Sequence, residues 1–137
     1  MKELIESLED FTWENYKDIS DALVQFNEVE VETEMFRQAS IYSYYFGLMS
    51  FAKRKVGEAS VQLTRFMSKL RKEAKRDSSV KLTAKDLDDL VFADEQYTVR
   101  QNALDDATFK YEMLKGLVRA LEQKKDMLQQ SSANKRE

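Results

Sequence analysis

Apolar residues recur along this chain at steps of three and four, and the longest such run fixes the reading of its middle. Tyr42, Tyr45, Met49, Ala52, Val56, Ala59, Leu63, Phe66 and Leu70 alternate the two steps in strict order. A helix turns once every ~3.6 residues, so this alternation lays the side chains along one stripe, a heptad seam. The same order returns in Leu104, Ala107, Tyr111, Leu114, Val118 and Leu121, and Lys125 and Leu128 continue it. Long helices are therefore predicted over 35–76 and 94–131. Asp77, Ser78 and Ser79 break the pattern between them. Thr83, with Asp86 three residues on, has the spacing of a capping box and restarts a short helix through about Phe92. The connection over 77–93 is thus partly helical. Two heptad helices joined this way should fold back as an antiparallel hairpin, with residue i roughly opposite residue 170 − i. That count sets Lys53, Arg54 and Lys55 near Lys115 and Arg119, as a secondary basic patch. It also sets Gly57 within a turn of Gly116, where small residues let backbones approach; simple tolerance of two glycines, at ~1 kcal/mol each, is the other reading.

Residues 1–34 carry eleven Asp or Glu and two Lys. Ile5 and Leu8, then Tyr16, Ile19, Leu23 and Phe26, follow helical spacing and predict one or two short acidic helices. Asn27 and Glu30 have capping-box spacing, while the alternation Glu28, Val29, Glu30, Val31, Glu32 equally fits a short strand, which would need a partner. The polar tail over 132–137 is expected to fray.

Composition narrows the class. The chain has 137 residues, no Pro, no Cys and three Gly, and is rich in helix formers, so a single all-α domain over 1–137 is expected. With neither Cys nor His, disulfides, the usual zinc ligands and the usual general base are missing, and no metal or cofactor is expected. The lack of Cys suits a reducing, cytoplasmic setting, that of the host cell if the protein is viral. No apolar run reaches ~18 residues and Met1 to Phe11 is acidic and amphipathic, so neither a membrane span nor a secretory signal is expected. Acidic neighbours such as Asp88 and Asp89, or Asp105 and Asp106, point in different directions on a helix and do not face one substrate. No glycine-rich phosphate loop is present, and enzyme chemistry is not expected.

A hairpin of this kind buries one stripe of each helix. Yet Ile41, Tyr42, Tyr44, Tyr45, Phe46, Leu48, Met49 and Phe51 make a stretch that is apolar nearly all the way round. Such a helix is covered on more than one side. The N-terminal helices can take part of it, and other subunits are the natural cover for the rest, with Tyr44, Tyr45, Phe46, Leu48 and Phe51 at the contact. Stacking of these tyrosines on bases is a sharper alternative, although aromatic residues at core spacing are usually core.

Charge then changes the picture. The chain is net acidic at −3, but Lys53 to Arg76 holds nine Lys or Arg and two Glu. Arg65, Lys69, Lys72 and Arg76 step by four, three and four, forming one solvent-facing row beside the seam. Arg71 and Lys75 lie on the adjoining face, and Lys81 lies just past the turn. Such a row can follow a phosphate backbone, each side chain neutralising a phosphate and releasing counterions. The plainer reading is a solvated face whose charges pair with carboxylates, which the acidic N-terminal third could supply. An anionic membrane is a poorer partner, because no bulky apolar face is left for lipid.

At this point the chain resembles the phage recombination mediators related to UvsY of the T-even phages. The resemblance covers roughly residues 35 to 130. It rests on Ile41-Tyr42-Ser43-Tyr44-Tyr45, on Ser68-Lys69-Leu70-Arg71, on Lys81-Leu82-Thr83, on Asp94, and on Lys115, Ala120 and Lys124-Lys125-Asp126-Met127-Leu128. It implies a non-enzymatic, ring-like homo-oligomer that binds single-stranded DNA and helps load a RecA-like recombinase where a single-strand binding protein already sits. The family's DNA-contacting Lys-x-Arg would fall on Lys69 and Arg71. In the T-even protein that segment runs on into aromatic residues and a glycine-containing loop, whereas here it continues Lys72, Glu73, Ala74, Lys75, Arg76. An electrostatic mode is therefore the expected transfer, rather than base stacking. The rival reading is a structural or adaptor coiled-coil protein, such as a phage assembly factor, whose basic stripe docks on an acidic protein.

Overall fold

A computed structural model describes residues 2–25 and 31–136, with side chains described over 6–25 and 31–134. The described residues form helices and no strand: α1 Lys2–Asp10, α2 Trp13–Val24, α3 Val31–Asp77, α4 Ala84–Ala93 and α5 Glu95–Arg136. The long helix expected from 35 begins at Val31, and Val31 and Glu32 are helical instead of extended. The rest of the proposed strand, and the Asn27–Glu30 cap, lie outside the described residues. The tail expected to fray over 132–137 is helical through Arg136, with Ser132 buried against the fold and no Pro or Gly there to stop the helix.

Local hydrogen bonds explain where the elements start. Thr83 caps α4 as its spacing predicts: its backbone N–H donates to Asp86 Oδ2 at 3.0 Å, and the Asp86 N–H donates to Thr83 Oγ1 at 3.1 Å. The Thr83 N–H first, and the Thr83 hydroxyl second, hold the Asp86 carboxyl below its usual value. A second box, Thr12 with Asn15, starts α2 in the same manner, and Asn15 Nδ2 also donates to the carbonyl of Asp10 at the end of α1. Asp94 turns α4 into α5, its Oδ1 accepting from the Gln96 N–H at 2.8 Å.

The chain divides into two compact units, 1–53 with 109–137 and 54–108, so α3 and α5 each contribute to both. In the first unit, Leu8 of α1 and Phe11 just after it, Leu48, Phe51 and Ala52 of α3, and Met113, Leu114, Leu117 and Leu121 of α5 form one core. Tyr16, Ile19 and Leu23 of α2 pack on its edge. Here α3 lies on α5: Gln38 Nε2 donates to the Leu121 carbonyl at 3.2 Å and the Tyr42 hydroxyl donates to Glu122 at 2.9 Å. That bond, with burial and the charge of Glu122, raises the Tyr42 phenol above its usual value. These contacts correct the count back from the turn, which would have set Tyr42 against Leu128. The helices meet more than a turn out of that register, because α4 and the turns around it consume length that an even count gives to the hairpin. A methyl group added at Gly116 would meet the Tyr16 hydroxyl at 3.3 Å, so the close approach there is to α2; nothing lies within 4 Å at Gly57.

Lysines of α5 close the ends of both short helices. Neither α1 nor α2 has a basic residue in its last turn to answer the free carbonyls. Lys110 Nζ donates to the Leu8 carbonyl at 3.1 Å. Lys124 Nζ donates to the carbonyls of Leu23 and Gln25 and sits 3.1 Å from Glu34 Oε2, with its own side chain only 2% exposed. The seam position assigned to Lys125 thus belongs to Lys124, and Lys125 is exposed. The other seam residues are buried or half-buried, as the spacing predicts.

The second unit is thinner. Its buried residues are Leu63 of α3 with Leu87 and Val91 of α4. Half-buried side chains such as Phe66 and Leu70 complete it.

Candidate nucleic-acid interface

The basic row belongs to the second unit and stands on the outer face of α3. Arg65, Lys69, Lys72 and Arg76 line one open groove of about 570 Å³ together with Thr64, Ser68 and Glu73. Every lining residue is on α3, so helical spacing alone builds the groove: steps of three and four return each side chain to one face. Arg65, Lys69, Lys72, Lys75 and Lys81 are exposed. Among the described residues, no carboxylate lies within ion-pair distance of any of these five. Glu73 is the single acid in the groove, and the hydroxyls of Thr64 and Ser68 offer additional donors.

One cation of the adjoining face and one of the row are engaged. Arg71 Nη2 is 2.8 Å from Asp88 Oδ1, a pair with side chains 36% and 46% exposed that links α3 to α4. Arg76 Nε is 3.1 Å from Asp77 in the adjoining position. Exposed pairs of this kind contribute about 0–1 kcal/mol, so a stronger polyanion can displace the carboxylate. Among the described residues, the acids paired with these two cations are Asp88 and Asp77. Of the Lys-x-Arg pair that the family resemblance singles out, Lys69 lines the groove, whereas Arg71 is turned to Asp88.

The cations of the expected secondary patch are shared between the two units. Lys53, Lys115 and Arg119 fall in the first unit and Arg54 and Lys55 in the second. Arg54 and Lys55 both reach Glu58, at 3.4 and 3.3 Å, and Lys115 Nζ stands 5.9 Å from the centre of the Tyr111 ring. The aromatic stretch is likewise divided. Leu48 and Phe51 are part of the chain's own core, which removes them from an outward contact, and Tyr45 packs on that core half-buried. The cause is the N-terminal segment, whose Leu8 in α1 and Phe11 just after it share that core. Tyr44 and Phe46 keep exposed faces, with the Tyr44 hydroxyl donating to Ser7 Oγ at 2.6 Å.

One cation near the row carries no signal in the sequence pattern. Arg100 of α5 places its guanidinium carbon 4.9 Å from the centre of the Phe66 ring. Its Nε is enclosed and makes no hydrogen bond. A register count one turn off hid it, since 170 − i puts residue 104, not 100, against Phe66.

Comparison of the chain with protein-family models, with curated proteins and with solved structures returns no match. Among the described residues, no helix is long and apolar enough to cross a membrane, and no group of three or more acidic side chains could hold a metal ion.

Proposed function

We propose that this chain binds single-stranded DNA as a homo-oligomer and acts as a recombination mediator, helping a RecA-like recombinase replace a single-strand binding protein. The observation that carries the reading is the groove of Arg65, Lys69, Lys72 and Arg76, whose first three cations have no carboxylate partner among the described residues. Unpaired charge on one helix face is costly to hold together unless a polyanion answers it, and a phosphate backbone does so while releasing condensed counterions. The remainder of the molecule is poor ground for a strand: counted over the sequence, the first unit has 11 Lys or Arg against 15 Asp or Glu.

A single row of this kind binds weakly and salt-sensitively. Copies in a ring would present rows at fixed spacing and gain avidity on one long strand. The exposed faces of Tyr44 and Phe46, with Phe36 at 85% exposure, offer apolar surface for that second copy. A strand held on such a ring takes the spacing of the rows. If that spacing suits the recombinase better than its competitor, loading follows from differential binding and no bond is made or broken.

The test is a fluorescent oligonucleotide titrated at several salt concentrations. Four phosphate contacts predict a log–log salt slope of about −3 for single strands. Lys69→Ala with Lys72→Ala should weaken binding on every sequence and flatten that slope by about 1.4. Arg71→Ala should do less, because its guanidinium is shared with Asp88. Unchanged affinity in the double variant, with helix content intact, overturns the assignment and favours the adaptor reading.

A further inference from the structure

Beside the main groove, Arg65 and Lys69 also line a second, smaller one of about 200 Å³, completed by Gln62, Phe66 and Arg100. Three cations converge there from two helices, and no carboxylate lines the groove. Among the described residues, none of the three has an ion-pair partner. From these observations we infer that Arg65, Lys69 and Arg100, with Gln62, form a discrete phosphate-binding site in which Arg100 is the specific ligand. The inference rests on the single-strand reading above and gives that surface an anchor point.

The geometry of Arg100 separates this site from a diffuse charged face. Its guanidinium carbon stands 4.9 Å from the centre of the Phe66 ring, within cation–π range, so one side of the group rests on an apolar neighbour. The Nε is shut away from solvent and has no acceptor among the described residues. An enclosed donor on a charged group without an acceptor is rare in folded chains unless a ligand supplies one. A guanidinium presents N–H donors in a fixed fork that matches two phosphate oxygens at once, while Lys69 acts as a point charge on the same anion. The size agrees: the groove is smaller than the cavities that enclose drug-sized molecules, and suits one compact anion whose substituents lead out along the open row. A phosphodiester of a DNA strand and a free phosphate share this chemistry, and the strand is the source that the neighbouring groove favours.

The experiment compares the full-length wild type with Arg100→Gln, Arg100→Lys and Gln62→Glu. Labelled single-stranded oligonucleotide is titrated across salt, and inorganic phosphate is titrated by phosphorus NMR line broadening. Arg100→Gln should lose about 0.7 from the salt slope, one phosphate contact, and bind several-fold more weakly. Arg100→Lys should keep the slope but lose affinity, because charge is retained without the fork. Gln62→Glu leaves the Arg100–Phe66 stack in place, puts a carboxylate among the cations and should weaken binding comparably, so the site stays testable if Arg100→Gln fails to fold. Binding unchanged in Arg100→Gln or Gln62→Glu, while Lys69→Ala with Lys72→Ala loses it, overturns this site and leaves the single-strand reading standing. A wild type that ignores oligonucleotides but takes up phosphate in an Arg100-dependent way sustains the site and ends the reading. Binding of neither ends both.

Discussion

The two units of this chain differ in what they bury. The first encloses a nine-residue apolar core drawn from α1, α3 and α5, and ties its short helices down with buried polar bonds from α5. The second buries Leu63, Leu87 and Val91 and leaves most of its cations exposed. Their charge differs in the same sense: the first has a clear excess of acid, the second 11 Lys or Arg against 10 Asp or Glu, with four of the cations in one row on α3. One heptad pattern runs through both, so periodicity does not distinguish them. What does is the cover: aromatic and aliphatic residues of the short N-terminal helices pack over the first unit. In the second, the row on α3 stays open to a ligand.

The largest effect should come from the buried lysine of the first unit. Lys124→Ala leaves the carbonyls of Leu23 and Gln25 without their lysine donor and Glu34 Oε2 without its cation, Arg37 still holding Glu34 Oε1, which predicts a loss of roughly 3–5 kcal/mol in urea unfolding. A cost below about 1 kcal/mol would mean that the end of α2 does not depend on it.

Next come truncations of the two cores. Leu117→Ala, at a fully buried position, should cost about 3–5 kcal/mol, and Leu63→Ala, where the packing is thinner, about 2 kcal/mol or less. Equal costs would erase the contrast. Native-state hydrogen exchange should show the same order, with amides of α4 exchanging sooner than those of α5 over 113–121.

The smallest effect concerns the cap of α4. Thr83→Ala should cost about 1 kcal/mol. The Asp86 carboxyl is held below its unfolded value, so its contribution is present above that value, near pH 4, and is lost as pH falls through the lower folded one. Asp86→Asn should flatten this acid limb. An acid limb unchanged by the substitution would show that the bond to Thr83 contributes nothing.

Much of this was legible in the sequence, and the failures share a cause. Steps of three and four located both long helices, and the Thr83–Asp86 spacing located α4, because these signals depend only on neighbours along the chain. The cation row was legible for the same reason: Arg65, Lys69, Lys72 and Arg76 share a face by spacing alone. Facts set across the chain were not. Which residue of α5 meets which residue of α3 depends on the length taken up around α4. That misplaced Tyr42 against Leu128, gave the seam to Lys125 in place of Lys124 and hid Arg100 behind Phe66. The fate of Leu48 and Phe51 also turned on a distant element, α1, and could not be read from α3.

Residue-resolved footprinting with an amine-reactive reagent, in the presence and absence of a single-stranded oligonucleotide, addresses the division between the units directly. Lys69, Lys72 and Lys75 should be protected by the strand, while the exposed Lys17, Lys53 and Lys125 of the first unit react as before. Protection spread evenly over both units, or confined to the first, would contradict the account.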